Sequence, residues 1–228
     1  PPPTNALDVD GFHADPAGRQ VDPARRAARD RAVAVYEAVV RTVQADADAY
    51  ALKGDTEAGR CALRQLQVWA GGGLLAGSLA TRQAEYERGW YLAGFALAYL
   101  KLRPLATEER RPIEDWLGAM ADGAAAAVDG GRIPPNNLTY WSGLALSATG
   151  IATGSADRMA RGQSILDRGL RAVAADGSLQ AELERGAKAL DYHAFAAAPL
   201  VLLAAIAEAR GKPFDRAALE RLGRFVLA

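Results

Sequence analysis

The sequence predicts an all-α protein, and three observations carry that expectation. Half of its 228 residues are apolar while only 7% are aromatic. Alanine dominates, leucine and arginine are abundant, and runs of β-branched residues are scarce, a composition that favours helix over strand. The long periodic segments place apolar residues three and four apart, the repeat of a helix buried along one side. The 27 Lys+Arg balance the 27 Asp+Glu, as in a soluble globular protein. That balance excludes a strongly basic nucleic-acid binder, so any site for a polyanion must be local. The single Cys61 excludes an intramolecular disulfide framework and a cysteine-rich zinc site, and His13 and His193 leave little material for a histidine metal centre. No run of about 18 uncharged apolar residues stands out, so no membrane span is expected. The start at Pro1-Pro2-Pro3, without methionine, reads as a mature or trimmed chain from which any signal peptide is gone.

The elements follow from caps and breakers. A Pro-rich extended arm is expected over 1–21, and Asp22-Pro23 then opens a helix reaching about Leu52, with Val33, Tyr36, Val40 and Val43 on one buried stripe and Gly54 as its stop. A second helix starts at Asp55 and carries Cys61, Leu63, Leu66 and Trp69 up to the Gly71-Gly72-Gly73 run, with a short helical extension over Leu74 to Leu79. Glu85 to Leu102 is apolar nearly all round, as in a buried helix, and Pro104 ends it. Thr107 caps a helix to Val128. Past Asp129-Gly130-Gly131 and Pro134-Pro135, a helix runs from about Asn137 to Thr149, and Ser155 caps another to Ala174. The last two cover about Ala187 to Arg210 and Asp215 to Leu227. Eight or nine helices with short connections argue for one domain, 22–228, built as a helical array or toroid.

Two stretches carry candidate chemistry. In Pro134-Pro135-Asn136-Asn137-Leu138-Thr139-Tyr140-Trp141, two amides and two aromatics crowd a helix start, and Asn137 and Trp141 share a face. A capped helix with aromatic core residues explains the same pattern. Arg185 and Tyr192 stand two helical turns apart, about 10 Å along an axis, and His193 follows directly. A solvated Arg beside a half-buried Tyr would look the same.

Taken together, these stretches resemble a known family. Asn137 with Tyr140-Trp141, then Asp176-Gly177, Leu183-Glu184-Arg185 and Ala189-Leu190-Asp191-Tyr192-His193, are similar to the alginate lyases of polysaccharide lyase family 5, which cleave polymannuronate and broader uronans. Cys61-Ala62-Leu63 with Trp69, and Ala93-Gly94 through Ala98-Tyr99-Leu100-Lys101-Leu102, look like the same family, so the likeness spans about 55–227. The resemblance implies an incomplete (α/α) toroid whose cleft binds an acidic polysaccharide and cleaves it by β-elimination. It also implies that Asn137 and Arg185 bind the uronate carboxylate while Tyr192 transfers protons. Donors aimed at that carboxylate suit the chemistry, because removing the C5 proton builds charge there.

The chain departs from the family pattern in three places. Leu138 stands where the family has a histidine after the asparagine, so the base or neutralising role ascribed to it has no occupant. His193 is a candidate substitute, but a helix neighbour points about 100° away from Tyr192, so it is expected as a structural or subsite residue. Family members generally continue past Ala228, which makes this a short member or a C-terminally truncated chain. Asp191 puts an acid where a polyanion would lie. A single tyrosine serves the C5 proton and the C4 leaving oxygen when both lie on one side, as in mannuronate and glucuronate but not guluronate. Such a phenol, with an ordinary pKa near 10, needs cations such as Arg185 to favour the phenolate.

Trp141, Tyr140, Tyr50 and Tyr86 are candidate sugar platforms, with Trp141, Tyr140 and His193 as expected substrate-binding residues. The Arg25, Arg26, Arg29, Arg31 cluster is either a steering patch or a solvated helix face. The leading expectation is a polysaccharide lyase acting on β-1,4-linked uronans, needing no cofactor or metal, with no nucleic-acid or membrane partner, monomeric, and periplasmic or secreted. The alternatives are a non-catalytic protein binding or processing an acidic exopolysaccharide on the same fold, and a helical scaffold for protein partners.

Overall fold

A computed structural model of the chain describes residues 7–16 and 18–228, so Pro1-Pro2-Pro3 of the expected arm lie outside the described residues. Among the described residues are nine α-helices: α1 (Pro23–Lys53), α2 (Thr56–Gly71), α3 (Arg82–Leu102), α4 (Arg110–Asp129), α5 (Asn137–Thr153), α6 (Ala156–Arg171), α7 (Gln180–Leu183), α8 (Ala189–Ala209) and α9 (Arg216–Leu227). A 3-10 turn, Gly186–Lys188, precedes α8.

The helices form two layers. α1, α3, α5 and α8 pack side by side in that order as an inner layer. α2, α4 and α6 lie outside, each against the inner helices before and after it in sequence, and α9 covers α8. α1 and α8 do not pack on each other, so the inner ring stays open, as an incomplete (α/α) toroid requires. Burial follows the layering. α3 and α5, in the middle, bury residues on every side. α6 and α9 bury one stripe each, Ile165 with Leu166 and Leu170, and Ala218 with Leu222.

Capping chemistry sets the boundaries. Asp22 accepts from the backbone N–H groups of Ala24 and Arg25 at the start of α1, and Gly54 closes it in the left-handed region. Thr81 accepts from the Ala84 N–H, so α3 begins at Arg82, ahead of the Glu85 expected from hydrophobicity. α4 starts at Arg110 rather than after Thr107, because Thr107 donates its backbone N–H to Glu109 instead of capping. The helical extension expected over Leu74 to Leu79 is absent. That segment buries Leu74 and Leu75 while its carbonyls serve side chains of neighbouring helices: Trp116 Nε1 donates to Leu74 O at 2.8 Å and Arg88 to Gly77 O at 2.9 Å. α5 runs past Thr149 to Thr153, and α6 stops at Arg171, short of Ala174.

Over its described residues the N-terminal arm folds back on the core instead of running straight. Leu7 and Val9 are buried in the core, and the Thr81 hydroxyl donates to Val9 O. Beyond them the chain doubles back. His13 and Val21 form an antiparallel bridge, Ala14 N–H donates to Gln20 O, and the Asp15 carboxylate accepts from the backbone of Arg19 and Gln20. Asp15, Pro16 and Gly18 are turn formers that make this hairpin a local preference. One stretch, Gly186–Ala209, is long and apolar enough to cross a membrane by length and composition, which the sequence reading had not singled out. Here it packs against α5, α6, α7 and α9.

Thr81 joins the cap of α3 to the arm, so Thr81→Ala should lower stability by about 1 kcal/mol, the usual worth of an N-cap. Urea unfolding should show a lower midpoint at unchanged slope, and limited proteolysis should cut 8–20 faster than in the parent.

Candidate active site

The open side of the inner layer holds a cavity of about 1090 Å³. Its walls come from α1, α3, α5 and α8, the segment around α7, and the arm hairpin; the outer helices α2, α4, α6 and α9 contribute nothing to it. The layering thus decides which residues can do chemistry.

Asn137 is the first residue of α5, placed there by Asn136, whose side chain caps the helix by accepting from the Leu138 N–H at 3.0 Å. Asn137 is 1% exposed. Its Nδ2 donates to both oxygens of Glu182, at 3.1 and 2.9 Å, and its backbone N–H donates to Oε1 at 2.9 Å. Its Oδ1 is buried without a hydrogen-bond partner among the described residues. Glu182, in α7, is fully buried, and its Oε2 lies 3.9 Å from Arg185 Nε.

Arg185 and Tyr192 do not share a helix. Gly186, at φ +61°, takes a conformation that L side chains rarely adopt, and it separates Arg185 from α8. The expected 10 Å offset is thereby replaced by direct stacking, with the guanidinium carbon 4.4 Å from the centre of the Tyr192 ring. On its other side Arg185 meets the arm at Gly18, where a Cβ would fall 2.1 Å from Nη1. Gly18 itself sits at φ +68°, a conformation that disfavours a side chain. The Tyr192 hydroxyl lies 3.2 Å from His13 Nε2, so the arm places a histidine on the phenol.

The electrostatics are specific. Burial pushes the Tyr192 phenol above its ordinary value, against the pull of Arg185 and Arg26 and with the help of Glu182 and Asp191. Arg185 therefore does not make Tyr192 a phenolate in the resting protein, contrary to what the single-tyrosine argument needs. Burial lowers the His13 pKa, with Lys188 and Arg185 adding to it and Asp15 opposing. His13 is then a neutral imidazole at pH 7, able to accept at Nε2. Four arginines (Arg26, Arg29, Arg41, Arg185) and four carboxylates (Asp15, Glu37, Glu184, Asp191) line the cavity. Among the described residues no group of three His, Cys, Asp or Glu side chains is placed to hold a metal ion.

The remaining expected residues divide. Trp141 lines the cavity, its Nε1 donating to Phe195 O at 3.2 Å and its ring 5.2 Å from that of Phe195. Tyr86 lines it too, and Tyr50 does not. Tyr140 is buried away from it, its phenol pushed up to about 12 by burial and by Glu182, so it is a core residue rather than a platform. His193 is also corrected. It is fully buried, Nδ1 facing Ala189 O at 2.7 Å and Nε2 accepting from the Leu179 N–H at 2.8 Å, which ties the 173–179 turn to α8 and leaves no nitrogen for a sugar. Of the arginine cluster, Arg26 and Arg29 reach the cavity. Arg29 is held by Glu87 and Glu37, and Arg26 by Asp30, so neither is an uncommitted steering charge.

Comparison with known proteins adds to this geometry. The alginate lyase family model matches residues 6–228. The chain belongs to the alginate lyase family. It is 35% identical over 224 residues to a polysaccharide lyase of Stenotrophomonas maltophilia, covering 95% of this chain and 68% of that one. With an alginate lyase of Pseudomonas fluorescens it shares 35% identity over 181 residues, covering 74% of this chain and 48% of the relative. The fold matches alginate lyase A1-III from Sphingomonas species A1 with a TM-score of 0.83 at 21% identity, over 99% of this chain and 65% of that one. A structure of A1-III complexed with tetrasaccharide matches at 0.88. The chain thus spans from about half to two thirds of the length of these family members.

His13 and Glu182 are the site residues that sequence reasoning missed. Glu182 sits in a polar run with nothing to mark it as buried, and His13 is brought to Tyr192 from 179 positions away. Glu182→Ala should leave the buried Asn137 amide unpaired and cost about 1–3 kcal/mol, read as a lower urea midpoint.

Proposed function

We propose that the protein is a lyase that cleaves β-1,4-linked uronans of polymannuronate or polyglucuronate type by β-elimination. The observation that carries this reading is the continuous run Asn137–Glu182–Arg185–Tyr192, whose Asn137, Arg185 and Tyr192 line the cleft, in a member of this family. Removal of the C5 proton turns the uronate carboxyl into an enolate-like group, so cationic and amide donors facing it stabilise the transition state more than the ground state. Arg185 supplies a planar fork suited to a carboxylate. Asn137 reaches the substrate through the amide that Glu182 now holds, so binding exchanges one of those hydrogen bonds for one to the uronate. Tyr192 takes the C5 proton and returns it to the O4 leaving oxygen, which is feasible for one phenol when both lie on the same side of the ring. Trp141 and Tyr86 offer apolar faces to neighbouring sugars. On this reading the protein works as a monomer where exopolysaccharide is met, in the periplasm or outside the cell.

The test is formation of unsaturated uronate ends, followed by ultraviolet absorbance across a panel of uronans. Tyr192→Phe should lower turnover at least about 10²-fold with binding little changed, the loss expected for a general acid–base. Arg185→Ala should weaken both binding and turnover. Near-parental turnover by Tyr192→Phe removes the tyrosine from the mechanism, and binding without unsaturated product favours a non-catalytic polysaccharide-binding protein.

Polyguluronate, whose C5 proton lies opposite the leaving oxygen, should be cleaved far more slowly than polymannuronate or polyglucuronate. Equal rates would show that a second acid–base group serves the other face.

A further inference from the structure

The Tyr192 phenol is half-buried, and among the described residues the side chain it meets at hydrogen-bonding distance is the His13 imidazole, at 3.2 Å. Nothing in the inner helices supplies this group. The arm delivers it, and the arm is fastened on both sides of the cleft. Toward α1, Asp22 N–H donates to Phe12 O, Arg25 reaches His13 O at 3.5 Å, and the Arg26 guanidinium lies 4.9 Å over the Phe12 ring. Toward α8, Arg19 Nε donates to Glu184 O at 2.8 Å, and Gly18 lies against Arg185. The His13 ring itself rests on Phe12, with centroids 4.4 Å apart. A histidine held this firmly against a phenol at the centre of the cleft is placed for proton transfer rather than for solvation.

We propose that His13 is the proton partner of Tyr192, taking the phenol proton at Nε2 so that the phenolate can act on the sugar. This rests on the reading of the cleft as a uronan lyase. The Tyr192 O–H bond breaks and an N–H bond forms at His13. The phenolate then takes the C5 proton, the C–H electron pair becomes the C4=C5 double bond, and the C4–O4 pair leaves with O4. O4 receives the proton from Tyr192, and the phenolate–imidazolium pair is restored. The C5 proton thus ends on the leaving oxygen, and no oxidant, reductant or water is consumed. The surroundings suit the pair: Arg185 and Arg26 favour the phenolate, Asp15 favours the imidazolium, and Lys188 and Arg185 keep His13 unprotonated until the phenol gives up its proton.

His13 acts through Tyr192, so its test must separate proton transfer from packing. His13→Gln keeps a side chain able to hydrogen-bond the phenol but removes the titration. In the parent, turnover should be level between about pH 7 and 9 and should fall only below the ordinary histidine range of about 6.5. In His13→Gln the phenolate must arise from Tyr192 alone. Turnover at pH 7 should then drop about 10²-fold and climb about tenfold per pH unit toward pH 9. A variant that keeps the parental profile, at whatever rate, overturns the proposal. A second readout needs no activity and so separates failure of the lyase reading from failure of this one. With only His13 and His193 in the chain, the His13 ring can be followed by NMR titration. Tyr192→Phe removes a donor to Nε2 and should raise the His13 pKa toward 6.5; an unchanged titration would show that the two groups are not coupled.

Discussion

The site depends on one buried carboxylate. Glu182 is fully enclosed, and an enclosed carboxylate is tolerated only where donors surround it. It finds them in the Asn137 backbone and side chain, with Arg185 just beyond. Those partners come from two places in the fold, the first residue of α5 and the turn before α8. Satisfying Glu182 therefore fixes the distance between two segments that no regular helix packing would hold together. Glu182 thus orients the Asn137 side chain, while Arg185 lies among Glu182, the Tyr192 ring and the Gly18 backbone.

Around this point the layered fold does the rest. Inner helices carry residues that must face both the core and the cleft, and α3 shows how this is managed. Glu87 is fully buried, yet it holds Arg29 through two bonds of 2.9 Å and accepts from the Tyr91 hydroxyl and the Gln83 amide, so three side chains along the cleft are fixed by one acid. The aromatic wall is made the same way. Phe195 of α8 sits between Trp90 of α3 and Trp141 of α5, its carbonyl engaging the Trp141 nitrogen, and it spans three inner helices. A chain poor in aromatics has placed several of them along the cleft.

Much of this was legible in the sequence, and the exceptions share a cause. Helix existence, the caps at Asp22 and Ser155, the starts at Asp55 and Asp215, and the stop at Gly54 follow from local chemistry, which acts within a few residues. Asn137, Arg185 and Tyr192 were identified together by family resemblance, and all three line the same cavity. The misreadings lie where partners are distant. Leu74 and Leu75 look like helix until Trp116 and Arg88 claim the backbone carbonyls nearby. Tyr140 and Trp141 are equivalent in pattern, and only the packing of α5 decides which faces the cleft. His193 adjoins a site residue yet serves the backbone of another turn. His13 lies in a segment that reads as a loose arm, and its meaning appears only when the hairpin closes over Tyr192.

The absence of net charge in the cleft is consistent with a polyanion as substrate once the pairing is considered. Most of the basic groups there are already matched: Arg29 by Glu87 and Glu37, and Arg26 by Asp30. A strongly positive cleft would bind every uronate along the polymer alike, and uniform binding of that kind does not accelerate the reaction. Here Arg185 is stacked on the ring of Tyr192, and on the proposed reading it faces the carboxyl whose charge grows as C5 loses its proton. On that reading the favourable field is concentrated where charge develops, so that a protein of zero formal net charge acts on a polyanion through one placed cation rather than through a broadly basic cleft.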